Sequence, residues 1–118
     1  MIQCKRLYDA ASTGDGYRVL VDRLWPRGVK KDALEYDEWC KTLTPSPALR
    51  KDFHSGAIDF AAFREAWLAE LAELTEEGER LLRQAKERPL TLLYGAKDTQ
   101  HNHAQVLAEW LRGLAIRQ

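Results

Sequence analysis

Two short stretches of this sequence bring together side chains that suit an anionic ligand. The stretch 22–28 (Asp-Arg-Leu-Trp-Pro-Arg-Gly) supplies two arginines, and the stretch 97–103 (Lys-Asp-Thr-Gln-His-Asn-His) supplies a lysine, an asparagine and two histidines. Arginine suits phosphate and carboxylate groups because its planar guanidinium donates two hydrogen bonds at once. We therefore predict a site for a small anionic molecule, formed by Asp22, Arg23, Trp25, Arg27, Lys97 and Asn102.

Two side chains of the second stretch could also move a proton. Histidine changes its charge near neutral pH, which makes His103 a candidate acid or base, and Asp98 is a candidate general base. Each has a structural alternative: Asp98 or Asn102 caps the following helix, and His103 shares an apolar helical stripe with Leu107. If the protein is an enzyme, we expect Asp98 and His103 to be its catalytic residues.

The basic and aromatic side chains of both stretches also have structural alternatives. Arg23 and Arg27 would then form ion pairs with nearby acids, and Lys97 would be a solvated loop lysine. Trp25 would pack as a lid on the core instead of stacking on a ligand. The sequence leaves these alternatives open.

Metal and cofactor motifs do not account for the two stretches. His101 and His103 are two residues apart, a spacing that does not place both on one helix face, so we predict no metal site. P-loop, dinucleotide-binding, nucleophile-elbow and zinc-protease motifs do not occur, and the sequence identifies no cofactor. Cys4 and Cys40 lack a CxxC spacing, and we expect free thiols in a reducing compartment.

Three segments carry strand patterns. Residues 2–7 are the first candidate, and residues 17–22 alternate between the two faces of a strand. Residues 90–96 are apolar on both faces, which is typical of a central strand in a parallel sheet. Turn-forming residues place a loop over 9–16. Residues 34–43 are compatible with an edge strand or with an irregular connection.

Helical patterns occupy much of the remaining chain. Ser46-Pro47 is typical of a helix start, because serine caps the first turn and proline fits its first position. Asp59 and Thr75 are candidate N-caps for the next two helices. The predicted helices cover 47–54, 60–74, 75 to the Arg88-Pro89 pair, and 103–114, with a short helical turn over 30–34.

Strands separated by helices predict a single α/β domain over residues 1–118. Its sheet is expected to be small and mostly parallel, with three or four strands covered by helices. Ligands of such sheets bind beyond the carboxyl ends of the strands, and both chemical stretches follow predicted strands. If those strands are parallel neighbours, the two stretches face one crevice, to which the last helix adds a positive N-terminal dipole.

The charge balance narrows the classes of partner. The chain has 118 residues with 18 Lys+Arg and 18 Asp+Glu, and this zero net charge argues against general nucleic-acid binding and a polybasic membrane surface. The charge is unevenly distributed: +4 over 1–31, −2 over 32–58, −6 over 59–79 and +4 over 80–118. Each positive block contains one chemical stretch. No signal peptide or membrane span is predicted, so we expect a cytosolic protein of undetermined oligomeric state.

Three sets of residues resemble the bacterial YeaO-like family of small proteins. They are the stretch 22–28; Trp39 followed by Leu43-Thr44-Pro45-Ser46; and the stretch 91–98 (Thr-Leu-Leu-Tyr-Gly-Ala-Lys-Asp) with Asn102-His103-Ala104. The resemblance covers nearly the whole chain. It implies a compact α/β cytosolic protein whose two motifs coincide with the predicted crevice, and it implies no particular activity or cofactor.

Three functions fit these observations. The first is an enzyme acting on a small anionic molecule, such as a nucleotide or a phosphorylated metabolite. The second is a non-catalytic sensor that uses the same pocket, which retention of a ligand without turnover would favour. The third is a protein-interaction module with an exposed aromatic patch of Trp25, Tyr36 and Trp39, and burial of these rings would count against it.

Overall fold

Four parallel strands form the sheet in the computed structural model, which describes residues 1–117. They are β1 (Ile2–Arg6), β2 (Tyr17–Leu20), β3 (Glu38–Trp39) and β4 (Leu90–Tyr94). The strand order is β1-β4-β2-β3, and every neighbouring pair is parallel. The predicted small, parallel α/β sheet is therefore confirmed.

The central position of β4 follows from its apolar composition. All five of its residues are buried, and it pairs with β1 on one side and β2 on the other. Leu92 faces the main core, whereas Leu93 belongs to a smaller cluster with Leu7, Leu20 and Leu34. A strand that is apolar on both faces is stable only where other parts of the protein cover both faces, and residues 90–94 are covered in this way.

Residues 1–117 contain four α-helices, three of which begin at a side-chain cap. They are α1 (Pro47–His54), α2 (Phe60–Leu71), α3 (Thr75–Ala85) and α4 (His103–Arg117). Ser46 Oγ accepts the Leu49 N–H at 3.2 Å, Asp59 Oδ1 accepts the Ala62 N–H at 2.8 Å, and Asn102 Oδ1 accepts the Gln105 N–H at 3.1 Å. Each of these three side chains satisfies a first-turn N–H that has no partner within its helix.

Thr75 does not act as the predicted N-cap. It is the first residue of α3, and its hydroxyl donates to the Ala72 carbonyl at 3.2 Å. The physical reason is that α2 continues through a 3₁₀ turn over Ala72–Leu74 into α3, so the chain never becomes extended before the helix. The predicted short helical turn over 30–34 is found as a single hydrogen-bonded turn, in which the Ala33 N–H donates to the Lys30 carbonyl at 2.9 Å.

The smaller cluster (Leu7, Leu20, Leu34 and Leu93) is covered by side chains from the connection between β2 and β3 and from β3 itself. Trp25, Tyr36 and Trp39 are half-buried there, and the Trp25 ring lies 5.6 Å from the Tyr36 ring and 5.4 Å from the Trp39 ring. Indole N–H donors hold this arrangement, since Trp25 Nε1 bonds to the Val29 carbonyl and Trp39 Nε1 to the Asp22 carbonyl. The rings stabilise the fold, which counts against an exposed aromatic patch.

Within residues 1–117, no helix is both long and apolar enough to cross a bilayer.

Candidate functional site

A cleft of about 380 Å³ opens at the carboxyl ends of β2 and β4. Val21 and Asp22 come directly after β2, and Ala96 follows β4. The start of α4, one face of α1, Phe63 of α2 and residues 44–45 complete the walls. Its lining residues are Val21, Asp22, Arg23, Leu24, Thr44, Pro45, Arg50, Phe53, His54, Phe63, Ala96, His101, Asn102 and His103. This is the edge at which open parallel sheets bind their ligands.

Asp22 and His103 meet inside the cleft. Asp22 Oδ2 accepts the Gly95 N–H at 2.9 Å, which ties the carboxylate to the end of β4. His103 Nε2 lies 3.0 Å from Asp22 Oδ1 and 3.2 Å from the Val21 carbonyl oxygen, and the carbonyl has the better hydrogen-bond direction. Because both neighbours are acceptors, Nε2 must carry a proton, so the neutral ring has its lone pair on Nδ1.

Two arginines give the cleft a positive character. Arg23 is exposed, and neither it nor Arg50 forms an ion pair with an acid within residues 1–117. Arg50 Nε is buried and has no hydrogen-bond partner in the same part of the chain. A buried donor without an acceptor costs free energy, so this atom identifies a position where an acceptor from a ligand or water would be stabilised.

The N-terminus of α4 adds to this positive character. This helix is 15 residues long and begins at His103, in the cleft wall. Its positive dipole end therefore faces the site. Asn102 is buried and holds the turn before the helix, because Nδ2 donates to the Asp98 carbonyl at 2.8 Å while Oδ1 caps the helix. Asn102 thus has both polar atoms engaged by the fold.

The four remaining predicted site residues do not line the cleft. Trp25 packs on the opposite face of the sheet, and Arg27 and Lys97 are exposed. Asp98 is also exposed, and Oδ1 accepts the N–H groups of Gln100 at 2.9 Å and His101 at 3.0 Å. These backbone hydrogen bonds lower the pKa of Asp98 below its ordinary value, which makes it a weaker proton acceptor. Its observed contacts stabilise the turn.

The contribution of α1 to the cleft was not predicted from the sequence. Arg50, Phe53 and His54 all line the cleft from this helix. Their spacing of three and four residues places them on one helical face, a signal that the sequence does contain. The chain has three histidines, His54, His101 and His103. All three line this cleft.

Neither cysteine lies in the cleft wall, and both are free thiols. Burial raises the pKa of Cys4 to about 11, and the thiol contacts the Ala104 carbonyl at 3.3 Å. Burial also raises the pKa of Cys40 above its ordinary value. A raised pKa keeps the thiol protonated and unreactive at neutral pH, so these residues have the character of core side chains.

Gly95 is expected to be essential for the position of Asp22. A Cβ atom at this residue would lie 2.8 Å from Asp22 Oδ2, so Gly95→Ala should displace the carboxylate and separate it from His103. Overpacking of this kind costs about 1–3 kcal/mol. Urea unfolding would measure the loss, and NMR of the His103 ring nitrogens would detect the changed environment.

Gly113→Ala provides the matched control for that substitution. Gly113 lies within α4, and its nearest new contact would be 3.9 Å away, at Arg117. Alanine should leave stability unchanged or raise it by up to about 1 kcal/mol. An unchanged His103 spectrum in Gly95→Ala would contradict the proposed positioning role of Gly95.

The fold and the cleft define a class: a small α/β protein with a four-stranded parallel sheet and a histidine-lined, arginine-bearing cleft at its carboxyl edge. Residues 1–118 match the protein family described as "Inactive DUF488-N3 subclade", and the chain belongs to that family.

Similar proteins come from several bacteria. The chain is 63% identical over 113 residues to "Uncharacterized protein YeaO" of Escherichia coli, covering 96% of this chain and 98% of that protein. It is 34% identical over 113 residues to "Uncharacterized protein Rv3073c" of Mycobacterium tuberculosis and to "Uncharacterized protein Mb3100c" of Mycobacterium bovis, covering 95% of this chain and 94% of each. The predicted YeaO-like membership is thus confirmed. No solved structure matches the chain.

Proposed function

We propose that the protein binds a small anionic molecule in this cleft without converting it. The observation that carries the proposal is the buried Nε of Arg50, which has no hydrogen-bond partner within residues 1–117; the same wall contains Arg23, which forms no ion pair within those residues. A charge-assisted hydrogen bond to a phosphate or carboxylate would satisfy this donor. The description of the family as an inactive subclade supports binding over turnover.

The surrounding charges favour an anion over a cation. Within residues 1–117, Asp22 is the one acidic residue that lines the cleft; its Oδ2 accepts the Gly95 N–H, and its Oδ1 lies 3.0 Å from His103 Nε2. Arg23, Arg50 and the α4 N-terminus all present positive charge or positive dipole ends.

Two free cysteines also fit the reducing cytosol, where we place the protein and its ligand.

Arg50→Gln is expected to weaken anion binding. Charge-assisted hydrogen bonds contribute about 1.5–3 kcal/mol, so removing this group should reduce affinity for inorganic phosphate by about 10- to 100-fold. Titration calorimetry with inorganic phosphate, on the full chain, would measure the change. The urea midpoint of Arg50→Gln should be close to that of the wild type. A loss of phosphate affinity then reflects lost binding and not lost folding.

Lys51→Gln is the matched control. Lys51 is the next residue of α1, is exposed and is not among the residues that line the cleft, yet the substitution removes the same charge. Phosphate affinity should change by less than about threefold, because exposed charges are screened by salt. Equal losses in the two variants, or an unchanged affinity in Arg50→Gln, would contradict binding at this cleft.

The orientation of His103 supports a second candidate, an enzyme that acts on a phosphorylated or nucleotide-like substrate. Asp22 lies beside Nε2, and Nδ1 has no hydrogen-bond partner within residues 1–117, so that nitrogen could accept a proton. Phosphorus NMR of nucleotides incubated with the protein distinguishes the candidates. Recovery of intact ligand supports binding alone, whereas product formation that His103→Gln abolishes would support catalysis.

A further inference from the structure

The cleft has an apolar wall beside its cationic groups. Phe53 is half-buried, and one face of its ring stacks on Phe63 with centroids 4.5 Å apart and planes 21° apart. Phe63 is itself only 2% exposed, so its own ring is largely covered. Because Phe53 retains accessible surface in the cleft, a flat apolar group has an aromatic surface to lie against.

Leu24 is unusually exposed for a large apolar residue at the rim of a cleft. Its relative exposure is 73%, and it follows Arg23 directly in the loop after β2. Isolated exposed leucines need no explanation. This one lines the same cleft as Phe53, Arg23 and Arg50, and neither arginine forms an ion pair within residues 1–117. A ligand with an apolar body would bury Leu24, whereas a bare anion such as phosphate would leave it in water.

We infer that the anion bound here carries an aromatic ring, so that the ligand class is an aryl phosphate or aryl carboxylate. The ring lies between Phe53 and Leu24, and the anionic group is held by Arg50 and Arg23. A cleft of about 380 Å³ is near the lower end of small-molecule sites, which suits one ring system and its anionic group. This inference rests on the anion binding proposed above.

Four probes separate the aromatic contribution from the anionic one. Titration calorimetry on the full chain compares phenyl phosphate, glycerol 2-phosphate, inorganic phosphate and the neutral benzyl alcohol. Phenyl phosphate should bind at least about tenfold more tightly than glycerol 2-phosphate, because burial of the ring adds a hydrophobic contribution. Benzyl alcohol should bind at least about tenfold more weakly than phenyl phosphate, because it has no anionic group for the arginines to bind.

Leu24→Ser tests the position of the ring. It should reduce the ratio of phenyl phosphate affinity to glycerol 2-phosphate affinity by about threefold or more. Ile116→Ser is the matched control, because Ile116 is another exposed large apolar residue, at 86%, and is not among the residues that line the cleft. That variant should leave the ratio unchanged.

The outcomes distinguish failure of the inference from failure of the proposed function. Equal affinities for phenyl phosphate and glycerol 2-phosphate, both weakened by Arg50→Gln, would overturn the aryl assignment while anion binding stands. Benzyl alcohol binding as tightly as phenyl phosphate would overturn the anionic role of the cleft. If none of the phosphates binds, both proposals are wrong.

Discussion

Replacing Asp15 by asparagine should destabilise the fold by about 3–5 kcal/mol, the range found when one partner of a buried ion pair is removed. Asp15 is 3% exposed and lies between β1 and β2. Its carboxylate contacts Arg18, which is also buried, and lies 3.2 Å from Lys5 Nζ. Without this charge, the cations of Lys5 on β1 and Arg18 on β2, the strands on either side of β4, would remain with no carboxylate between them.

The carboxylate of Asp15 is also a local organiser of its loop. Burial by itself would raise its pKa, but hydrogen bonds from the Ser12 N–H and hydroxyl and from Lys5 and Arg18 outweigh that effect and hold the pKa well below its usual range. The Asp15 carbonyl accepts the Thr91 hydroxyl at 2.6 Å, which attaches the loop to the central strand. Asparagine cannot supply the negative charge that these donors stabilise.

This lowered pKa has a consequence for acid stability. A carboxyl with a lower pKa in the folded state than in the unfolded state contributes stability above the unfolded value, near pH 4. That contribution disappears progressively as the pH falls below about 4. Urea unfolding from pH 7 to pH 3 should show a steep loss for the wild type and a shallower one for Asp15→Asn.

Asp32→Asn provides the control for both measurements. Asp32 is exposed in the connection between β2 and β3, and it forms no ion pair within residues 1–117. Its substitution should change stability by no more than about 0.5 kcal/mol. Similar losses in the two variants would show that the Asp15 network contributes nothing specific.

The importance of Asp15 was not predictable from the sequence. Residues 9–16 read as a loop of turn formers, and loops are usually exposed. The burial arises because a short 3₁₀ turn (Thr13–Asp15) brings Asp15 onto the sheet beside Lys5 and Arg18. Local patterns reveal turns, but they do not show which turn will lie against another element.

The fold itself was largely predictable because its signals are local. The alternation in residues 17–22 and the doubly apolar character of 90–96 identify strands before any packing is known. Ser46 and Asp59 cap the helices that follow them, as predicted. The ambiguous region 34–43 holds only the two-residue strand β3 within an irregular connection, because its aromatic side chains bury themselves by packing with Trp25.

The candidate site was predictable only where it follows a strand. Asp22 and Arg23 come just after β2, Asn102 caps α4 and His103 is its first residue, so the topology of a parallel sheet is enough to bring them to one edge. Pro26 is buried, and Trp25 beside it packs under the opposite face of the sheet. This turn of the chain explains why the first stretch lies only partly in the cleft.

The contribution of α1 required tertiary information. Arg50 lies far from both strand ends in sequence, and its position depends on how α1 packs on α2. That packing rests on aromatic contacts such as Phe53 with Phe63, whose partners cannot be assigned from spacing alone. The helical face of Arg50, Phe53 and His54 was visible in the sequence, but the surface that it faces was not.

Gly16→Ala should be the most damaging glycine substitution in the loop that holds Asp15. Gly16 has φ +63°, and an added Cβ would lie 2.2 Å from the Pro89 carbonyl oxygen. That carbonyl accepts the Tyr17 N–H at 2.8 Å, a bond that helps to align β2 with β4. The substitution therefore combines backbone strain of about 1–3 kcal/mol with overpacking of about 1–3 kcal/mol, and we expect a loss of about 3–5 kcal/mol.

Gly56→Ala separates these two contributions. Gly56 has φ +81°, but no atom in the described part of the chain (residues 1–117) lies within 4 Å of its added Cβ, so only the conformational cost of about 1–2 kcal/mol should appear. Urea unfolding of both variants measures the difference, and hydrogen exchange at Tyr17 reports whether the bond to Pro89 has opened. If Gly16→Ala costs no more than Gly56→Ala, the loop can move away from Pro89, and the close approach of these backbones does not determine the strand alignment.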